Sequence, residues 1–331
     1  MGYSEDCGFK CPGSQNSHRS SFGKNIRILR LPGSFLDREY PQHLSGITVF
    51  RRSAVTYPGD PQHGIYTSLP AEYRRYRRNI DMASNWISYN ELAWTEDFLA
   101  DPADYRDEVN VYIELINSTA VTPVNTVLHL GCGAGGFDVY FKKHYTVSGV
   151  DISTGMLDKA KLTNPEIEYI EGDMRTIRLK RLFDCVVIPD SIDYMLTLDD
   201  LKQAVQTAAL HLNPGGVLLI VCKPEETFHN NNFVYAGEKG ETHVTLFENN
   251  YINPYVPNTY EITLLYLIRH KGKLSTYMEE SKAGLFPKKT WDKVLKDAGF
   301  NMETRSLDGI YDKYLLGEGE YPMTVFIGRK V

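Results

Sequence analysis

The residues best suited to chemistry are a group of glycines and an aspartate twenty residues downstream. Four glycines lie within residues 131–136, directly after the apolar segment 124–130, and Asp151 follows the apolar segment 145–150. Glycines at a strand-to-helix turn let the backbone pass close beneath a bound nucleoside, and a carboxylate at the tip of the next strand can accept both ribose hydroxyls. The pattern predicts a site for an adenosine-containing cofactor.

The glycine spacing leaves the identity of that cofactor open. Gly131-x-Gly133-x-x-Gly136 fits the dinucleotide fingerprint, while Gly131-x-Gly133-x-Gly135 fits the looser loop of S-adenosylmethionine enzymes. A glycine-rich turn without any ligand is a third interpretation, which the position of Asp151 disfavours.

Strands and helices alternate from residue 124 onward. Strands are predicted at 124–130, 146–150, 167–170, 183–188 and 217–222, and helices at about 135–143, 153–162 and 198–212. Short apolar strands that alternate with amphipathic helices indicate a mainly parallel, doubly wound sheet of the α/β class, covered on both faces. Asn213-Pro214-Gly215-Gly216 is expected to end the last of these helices and turn the chain into the next strand.

The pattern changes after Pro224. Three strands are predicted near 242–248, 260–269 and 273–279 without a helix between them, which favours an antiparallel insertion. A helical stripe from Trp291 to Ala298 and strands near 300–307 and 323–328 complete the chain. The expected organisation is an N-terminal extension at 1–64, flexible or loosely packed, a helical cap at 65–120 and a domain at 121–331 with a β insertion at 224–280.

Composition narrows the class of protein. No apolar run approaches the roughly 20 residues that a membrane-spanning helix needs. Residues 1–64 hold eight Lys and Arg against five Asp and Glu, so the remainder carries 28 against 37, which argues against a nucleic-acid partner for the main body. The five cysteines lack the spacing of a zinc site, and three of them fall in or beside predicted buried strands; we expect reduced thiols, no metal and a cytoplasmic location.

Four motifs in order make the cofactor more specific. Residues 128–136 read Leu-His-Leu-Gly-Cys-Gly-Ala-Gly-Gly, and Gly-Val-Asp-Ile-Ser at 149–153, Glu-Gly-Asp-Met-Arg at 171–175 and Asn-Pro-Gly-Gly-Val at 213–217 follow. Over about residues 85–331 the chain resembles the class I S-adenosylmethionine-dependent methyltransferases of the small-molecule type. The resemblance implies a Rossmann-like seven-stranded sheet whose last strand is antiparallel, with cofactor and substrate over the carboxyl ends of the strands.

The resemblance also implies roles for individual residues. The glycines would line the methionine and ribose portion, Asp151 would take the ribose hydroxyls, and Asp173 with the backbone of Met174 would meet the adenine. The cofactor-binding candidates are Gly131, Cys132, Gly133, Gly135, Asp151, Ile152, Asp173, Met174 and Pro189, with Tyr89, Trp94 or an arginine of 74–78 for the amino-acid end of S-adenosylmethionine.

His129 departs from the family pattern, because many relatives carry an acidic residue just before Leu-Gly-Cys-Gly. A strand histidine is most often a core group whose hydrogen bonds are satisfied. The departure leaves open how the amino-acid end of the cofactor is held.

Methyl transfer from a sulfonium is an in-line displacement, so the main requirement is to hold a nucleophile close to the methyl group and to exclude water. Asp190, Asp193 and Tyr194 follow the fourth predicted strand, where the acceptor should lie. The two carboxylates could orient a cationic amine or remove a proton, and Tyr194 could add a hydrogen bond or an aromatic wall. In the insertion, the substrate-binding candidates are Asn249, Tyr251, Tyr266 and Arg269.

The sequence therefore predicts transfer of a methyl group to a small-molecule acceptor that could be an amine, an amino acid, a thioether or a hydroxyl compound. Two other functions compete: a regulatory protein that binds the cofactor without turnover, and an NAD(P)-dependent oxidoreductase. A homodimer is a possible assembly, and neither nucleic acid nor a membrane is an expected partner.

Overall fold

The structure is a computed structural model that describes residues 86–331. The expected extension at 1–64, the first part of the helical cap and the arginines of 74–78 lie outside the described residues. Within residues 86–331 there is no helix both long and apolar enough to cross a membrane.

Eleven strands form two sheets in the described part of the chain. They are β1 (Thr126–Leu130), β2 (Thr146–Asp151), β3 (Glu168–Glu171), β4 (Phe183–Pro189), β5 (Leu212–Cys222), β6 (Asn231–Lys239), β7 (Thr242–Tyr251), β8 (Thr259–His270), β9 (Lys273–Gly284), β10 (Phe300–Leu307) and β11 (Met323–Lys330). The larger sheet has the order β10-β11-β5-β4-β1-β2-β3, and β11 runs antiparallel to both of its neighbours. The prediction of a Rossmann-like seven-stranded sheet with an antiparallel last strand is confirmed.

Six α-helices accompany these strands. They are α1 (Glu96–Leu99), α2 (Pro102–Thr119), α3 (Asp138–Phe141), α4 (Thr154–Thr163), α5 (Leu198–Leu210) and α6 (Lys288–Asp297). Asp101 caps α2 by accepting a hydrogen bond from the Ala103 N–H, and Pro102 is the first helical residue. Pro102 thus begins a helix, because a residue at this position has no intrahelical N–H bond to lose.

Two predicted boundaries were wrong. The helix predicted to start near residue 135 is one turn, α3, because the glycine loop extends to residue 137. The predicted turn at 213–216 lies inside β5, which already pairs with β4 at Leu212 and shifts register before Val217. The Pro-Gly-Gly sequence forms an irregularity in a strand and not a loop before it.

The second sheet has four antiparallel strands in the order β6-β7-β8-β9, one more than predicted. β6 was missed because asparagines at its start and a glycine and charges at its end resemble loop sequence. The insertion emerges after β5, at the edge where the carboxyl ends of the central parallel strands meet.

Buried side chains cover both faces of the large sheet. Tyr112 and Phe141 belong to the cluster under α2 and α3, and Leu201 and Trp291 to the cluster under α5 and α6. All four are almost fully buried. The sheet is thereby fixed from two sides, and the carboxyl ends of β1, β2 and β4 are left to form a crevice, the usual ligand site of open α/β sheets.

Candidate active site

The glycine loop after β1 has the backbone that the sequence predicts. Gly131 and Gly133 have φ angles of 73° and 53°, in the left-handed region that glycine tolerates best. A Cβ atom on Gly131 would lie 2.1 Å from Oγ of Ser191, whereas a Cβ atom on Gly133 would have nothing within 4 Å. The loop is therefore packed against the chain after β4 at its first glycine and open at its second.

Asp151 ends β2 beside this loop. Its carboxylate accepts hydrogen bonds from the backbone N–H groups of Gly133 and Ser153, both at 2.8 Å. Burial raises the pKa of Asp151 above its ordinary value, and the two N–H donors act in the opposite direction. The carboxylate thus fixes the loop while one edge of it still faces open space.

A cavity of about 980 Å³ lies over the loop and the strand ends. Among the predicted cofactor residues, its wall contains Tyr89, Gly131, Cys132, Gly133, Asp151, Ile152, Asp173, Met174 and Pro189. This volume is in the range of small-molecule and cofactor sites. A nucleoside cofactor fits the residues present, because the space above Gly133 is open and a carboxylate stands at its edge.

Two of the predicted cofactor residues lie elsewhere. Gly135 is behind the loop, where a Cβ atom would come within 2.6 Å of the Tyr169 hydroxyl, so the glycine is needed for packing. Trp94 is 41% exposed, packs edge-on against Phe98 and is not part of the cavity wall. Both placements correct the sequence-based expectation.

Asp173 is on the wall and is bound by an arginine two residues later. Arg175 donates to both oxygens of Asp173 and, through its other end, to Asp200 at 2.7 Å. These bonds lower the pKa of Asp173, so its carboxylate stays ionised. A carboxylate has about four acceptor positions, which leaves capacity for one more donor such as an exocyclic amine.

His129 is buried in β1 and also contributes to the cavity wall. Its Nδ1 is 2.7 Å from Asp138, whose other oxygen accepts a hydrogen bond from Tyr169. The opposite ring nitrogen, Nε2, has no hydrogen-bond partner within the described residues. Only one of the two ring nitrogens of this buried histidine therefore has a hydrogen-bond partner in the described residues.

A second cavity of about 270 Å³ lies between the large sheet and the insertion. Tyrosines and carboxylates dominate its wall: Tyr235, Tyr260, Tyr266 and Tyr321 with Glu248 and Asp193. The two cavities share Tyr89, Glu96, Ala100, Tyr105, Asp190, Tyr194 and Tyr311. These shared residues mark the passage where a donor in the large cavity and an acceptor in the small one would meet.

Asp190 and Asp193 are held by a lysine that the sequence did not single out. The ammonium of Lys223 contacts Asp190 and lies 3.1 Å from Asp193. Lys223 and Asp193 are almost fully buried, while the side chain of Asp190 is 59% exposed. Burial raises the pKa of Asp193 to about 7, and the neighbouring carboxylates keep Lys223 charged. Asp193 is thereby a fixed part of the wall, and Asp190 is the more accessible of the two.

Tyr194 forms an aromatic corner of the passage. Its hydroxyl is 2.5 Å from that of Tyr89, and Trp86 packs against its ring at 5.3 Å between centroids. Burial raises the pKa of both tyrosines, so their hydroxyls stay protonated. The corner is an apolar wall that carries two hydroxyl groups.

The insertion contributes fewer of its predicted residues. Tyr266 lies on the small cavity, but Asn249, Tyr251 and Arg269 lie on neither cavity. Asn249 is exposed and donates to Asn232, and Arg269 donates to the Gly272 carbonyl. Successive residues of a strand point to opposite faces, so placing Glu248 on the cavity turns Asn249 outward.

Sequence reasoning missed Glu96, Lys223 and Glu248 as site residues. Glu248 could have been found from alternation along β7, since Leu246, Glu248 and Asn250 share one face. Glu96 and Lys223 carry no motif, because the tertiary fold alone brings Glu96 to the passage and Lys223 to the small cavity.

Comparison with known proteins agrees with this geometry. Residues 127–216 match the family model described as a methyltransferase domain. This match and the seven-stranded sheet show a methyltransferase domain with the Rossmann-like fold of S-adenosylmethionine-dependent methyltransferases.

Several relatives act on amino sugars. A dTDP-3-amino-3,4,6-trideoxy-alpha-D-glucopyranose N,N-dimethyltransferase of Streptomyces venezuelae is 34% identical over 126 residues, which cover 37% of this chain and 52% of that protein. This methyltransferase chain thus matches about half the length of that relative. A dTDP-4-amino-2,3,4,6-tetradeoxy-D-glucose N,N-dimethyltransferase of Saccharopolyspora spinosa is 25% identical over 60% of this chain and 80% of its own.

Solved structures share the fold. Streptomyces venezuelae DesVI superposes with a TM-score of 0.59 at 24% identity, over 69% of this chain and 92% of its own. The S-adenosylmethionine-bound CalS10, an amino pentose methyltransferase from Micromonospora echinaspora, has a TM-score of 0.57 at 20% identity and the same coverage. These likenesses show that the chain shares the fold of the two proteins.

Proposed function

We propose that this methyltransferase transfers the methyl group of S-adenosylmethionine to an amine nitrogen of a small molecule. The observation that carries the proposal is the pair of adjoining cavities, of which the small one has carboxylates and tyrosines on its wall. Carboxylates attract an ammonium group and tyrosine rings favour its methylated forms through cation–π contact. The amino-sugar substrates named for two of the relatives support an amine acceptor.

Bound S-adenosylmethionine would supply an electrophilic methyl group on its sulfonium. Asp151 would accept the ribose hydroxyls, Gly131 and Gly133 would let the backbone lie close to the ligand, and Asp173 with Met174 would meet the adenine. Pro189, which ends β4, and Asp190, which follows it, would border the methyl group from the side of the small cavity.

The remaining residues of the passage would position the acceptor. Tyr89 and Tyr194 offer hydroxyl groups to a polar acceptor and shield the reacting atoms from water. Tyr266 closes the small cavity from the insertion. Positioning and exclusion of water are the main contributions that an in-line displacement requires from the protein.

A panel of amines tests the proposal. Purified protein is incubated with S-adenosylmethionine labelled in its methyl group and, separately, with dTDP-linked amino sugars, free amino sugars, amino acids and polyamines. We expect labelled product from at least one amine class and none from matched hydroxyl compounds. Transfer to hydroxyl compounds alone would contradict the amine assignment, and tight S-adenosylhomocysteine binding without any transfer would favour the regulatory alternative.

We also propose that two copies associate through the outer face of the insertion. Two adjoining rows cross all four strands on that face without a charged residue: Val234, Phe247, Leu265 and Met278, and beside them Ala236, Thr245, Leu267 and Thr276. Phe247 and Leu265 are each 38% exposed and Met278 is 55% exposed. An apolar row of this kind can pair with itself about a two-fold axis.

A further inference from the structure

The passage between the two cavities has two carboxylates on its wall, and they differ in their partners. Asp190 is paired with Lys223. The carboxylate of Glu96, the first residue of α1, forms no ion pair within residues 86–331, and its only hydrogen bond there is a long one of 3.4 Å from the Tyr105 hydroxyl. Burial raises the pKa of Glu96 above its ordinary value. Glu96 is thus a partly buried carboxylate without an ion-pair partner in the described residues.

The charge of Glu96 acts toward the acceptor side. Tyr266 is buried and lies on the small cavity only. Burial is the largest cause of its raised pKa, and the charge of Glu96 is the second largest. The amino-acid end of the cofactor is expected on the other side, near the glycine loop and His129. An ammonium group in the small cavity would contact Glu96 where that cavity adjoins the large one.

We propose that Glu96 binds the ammonium form of the methyl acceptor and takes up its proton before transfer. The inference rests on the proposed function. A protonated amine has no lone pair, so one N–H proton must pass to the carboxylate oxygen, giving a neutral amine and a carboxylic acid. The nitrogen lone pair then forms the new N–CH₃ bond, the S–CH₃ bond breaks with its electrons moving to sulfur, and S-adenosylhomocysteine and a methylated ammonium result. Glu96 must return its proton to solvent before a second transfer.

Two other carboxylates, Asp190 and Glu248, are less suited to this role. The ammonium of Lys223 neutralises Asp190 and repels a second cation at that position. Glu248 accepts a hydrogen bond from Asn250 at 2.7 Å and lies on the small cavity alone, away from the methyl donor. A general base has to reach the reacting nitrogen, which only a residue of the passage can do.

The charged and titratable groups around Glu96 set its behaviour with pH. Asp97 follows it in α1, Tyr105 faces it from α2, Lys159 from α4 and Tyr266 from β8. Lys159 favours the ionised carboxylate, but its ammonium is bonded to Asp97 at 2.5 Å, which moderates that effect. The net direction is upward, so Glu96 is a better proton acceptor than an exposed glutamate.

Binding of methylammonium to the protein saturated with S-adenosylhomocysteine tests the assignment without turnover. Methylammonium chloride is titrated by NMR into the wild type, Glu96→Gln and Glu96→Asp, with Glu91→Gln as a matched control because Glu91 is exposed in the same segment. We expect Glu96→Gln to weaken methylammonium binding about tenfold or more, Glu96→Asp to restore part of it and Glu91→Gln to match the wild type. The affinity for S-adenosylhomocysteine should change less than twofold in all of them.

The same variants give a kinetic readout with any amine that the panel identifies. In the wild type, kcat/KM should decrease as the pH is lowered through the pKa of Glu96. Glu96→Gln should not show this decrease at low pH. The difference in kcat/KM between Glu96→Gln and the wild type should become smaller at high pH, where the amine is neutral in solution.

Three results would overturn the proposal: no methylammonium binding by the wild type, equal binding by Glu96→Gln, or weaker S-adenosylhomocysteine binding with methylammonium binding intact. The last would assign Glu96 to the cofactor. Because the titration needs no product, a panel without any methylated amine would count against the proposed function and leave the test of Glu96 standing.

Discussion

Asp151 has two roles that a single carboxylate can combine. It accepts N–H groups from Gly133 and Ser153, and its remaining lone pairs face the large cavity. The side chain would therefore link the shape of the loop to binding of the proposed cofactor.

We expect Asp151→Ala to weaken S-adenosylhomocysteine binding by about 1.5–3 kcal/mol, roughly 10- to 150-fold, because charge-assisted hydrogen bonds are lost. Isothermal titration calorimetry measures the change, with Asp158→Ala, an exposed aspartate on α4, as the control. An unchanged dissociation constant would remove Asp151 from the site.

His129 supplies a nitrogen where many relatives carry a carboxylate. A ring that donates to Asp138 through Nδ1 leaves Nε2 as an acceptor without a partner in the described residues, and we expect this nitrogen to bind the ammonium of the cofactor's amino-acid end. We expect His129→Leu to weaken S-adenosylhomocysteine and to leave 5′-methylthioadenosine, which lacks that end, unaffected. Equal losses for both ligands would instead point to a general disturbance of β1.

Glu108, which has no part in the proposed reaction, is expected to make the free energy of unfolding depend on pH. It is 1% exposed on α2, and its carboxyl group accepts hydrogen bonds from the hydroxyls of Tyr112 and Tyr311 and forms no ion pair within the described residues. Burial raises its pKa from an ordinary 4.5 to about 7. The folded state thus holds the proton more tightly than the unfolded state, and this contribution to stability falls as pH rises from 4.5 to 7.

Glu108→Gln should therefore flatten the decline in unfolding free energy between pH 4.5 and 7. Urea denaturation across that range provides the measurement, and Glu114→Gln, an exposed position on the same helix, is the control. A wild-type slope retained in Glu108→Gln would assign the dependence to another group, such as Asp193.

At the scale of elements, the turn after β1 and the start of the short helix after β4 are packed against each other. Gly131 has a left-handed φ angle and no room for a Cβ atom beside Ser191, and Asp190 just before that helix is itself left-handed at φ 61°. Two constrained turns at one crevice are typical of a functional site.

Comparing substitutions at Gly131 and Gly240 distinguishes the effect of backbone strain from that of the close contact with Ser191. Gly131→Ala should lower Tm and abolish measurable S-adenosylhomocysteine binding. Gly240→Ala shares the left-handed φ angle but has open space, so it should lose only about 1 kcal/mol and bind normally. Thermal unfolding with and without ligand distinguishes the two effects; equal behaviour of both variants would show that the contact with Ser191 is easily relieved.

At the scale of the whole molecule, one face of the insertion lines the small cavity, and we propose that the other pairs with a second copy. Leu265→Arg places a charge in the middle of the uncharged rows, so we expect a dimer of the wild type to dissociate into monomers. Light scattering after size exclusion gives the mass, and Arg269→Ala on the same strand is the control. A monomeric wild type would contradict the proposed assembly.

Local sequence was sufficient for the cofactor half of the molecule. The order of strands and helices from 124 to 222, the loop and Asp151 follow from periodicity and motif, because the residues that bind a nucleoside lie within a few positions of the strand ends. The insertion was harder to predict: β6 carries a weak strand pattern, and a shift of one residue along β7 exchanges Glu248 for Asn249 on the cavity.

The sequence by itself determined the fold class, the methyl donor and the position of the crevice, since each depends on contacts close along the chain. Only the tertiary structure decided which groups surround the proposed acceptor site. Glu96 comes from a short helix before the sheet, Lys223 from the end of β5 and Tyr266 from the insertion. Their spacing along the chain does not predict that these residues lie close together. Their proximity results from the packing of three separate elements around the adjoining cavities.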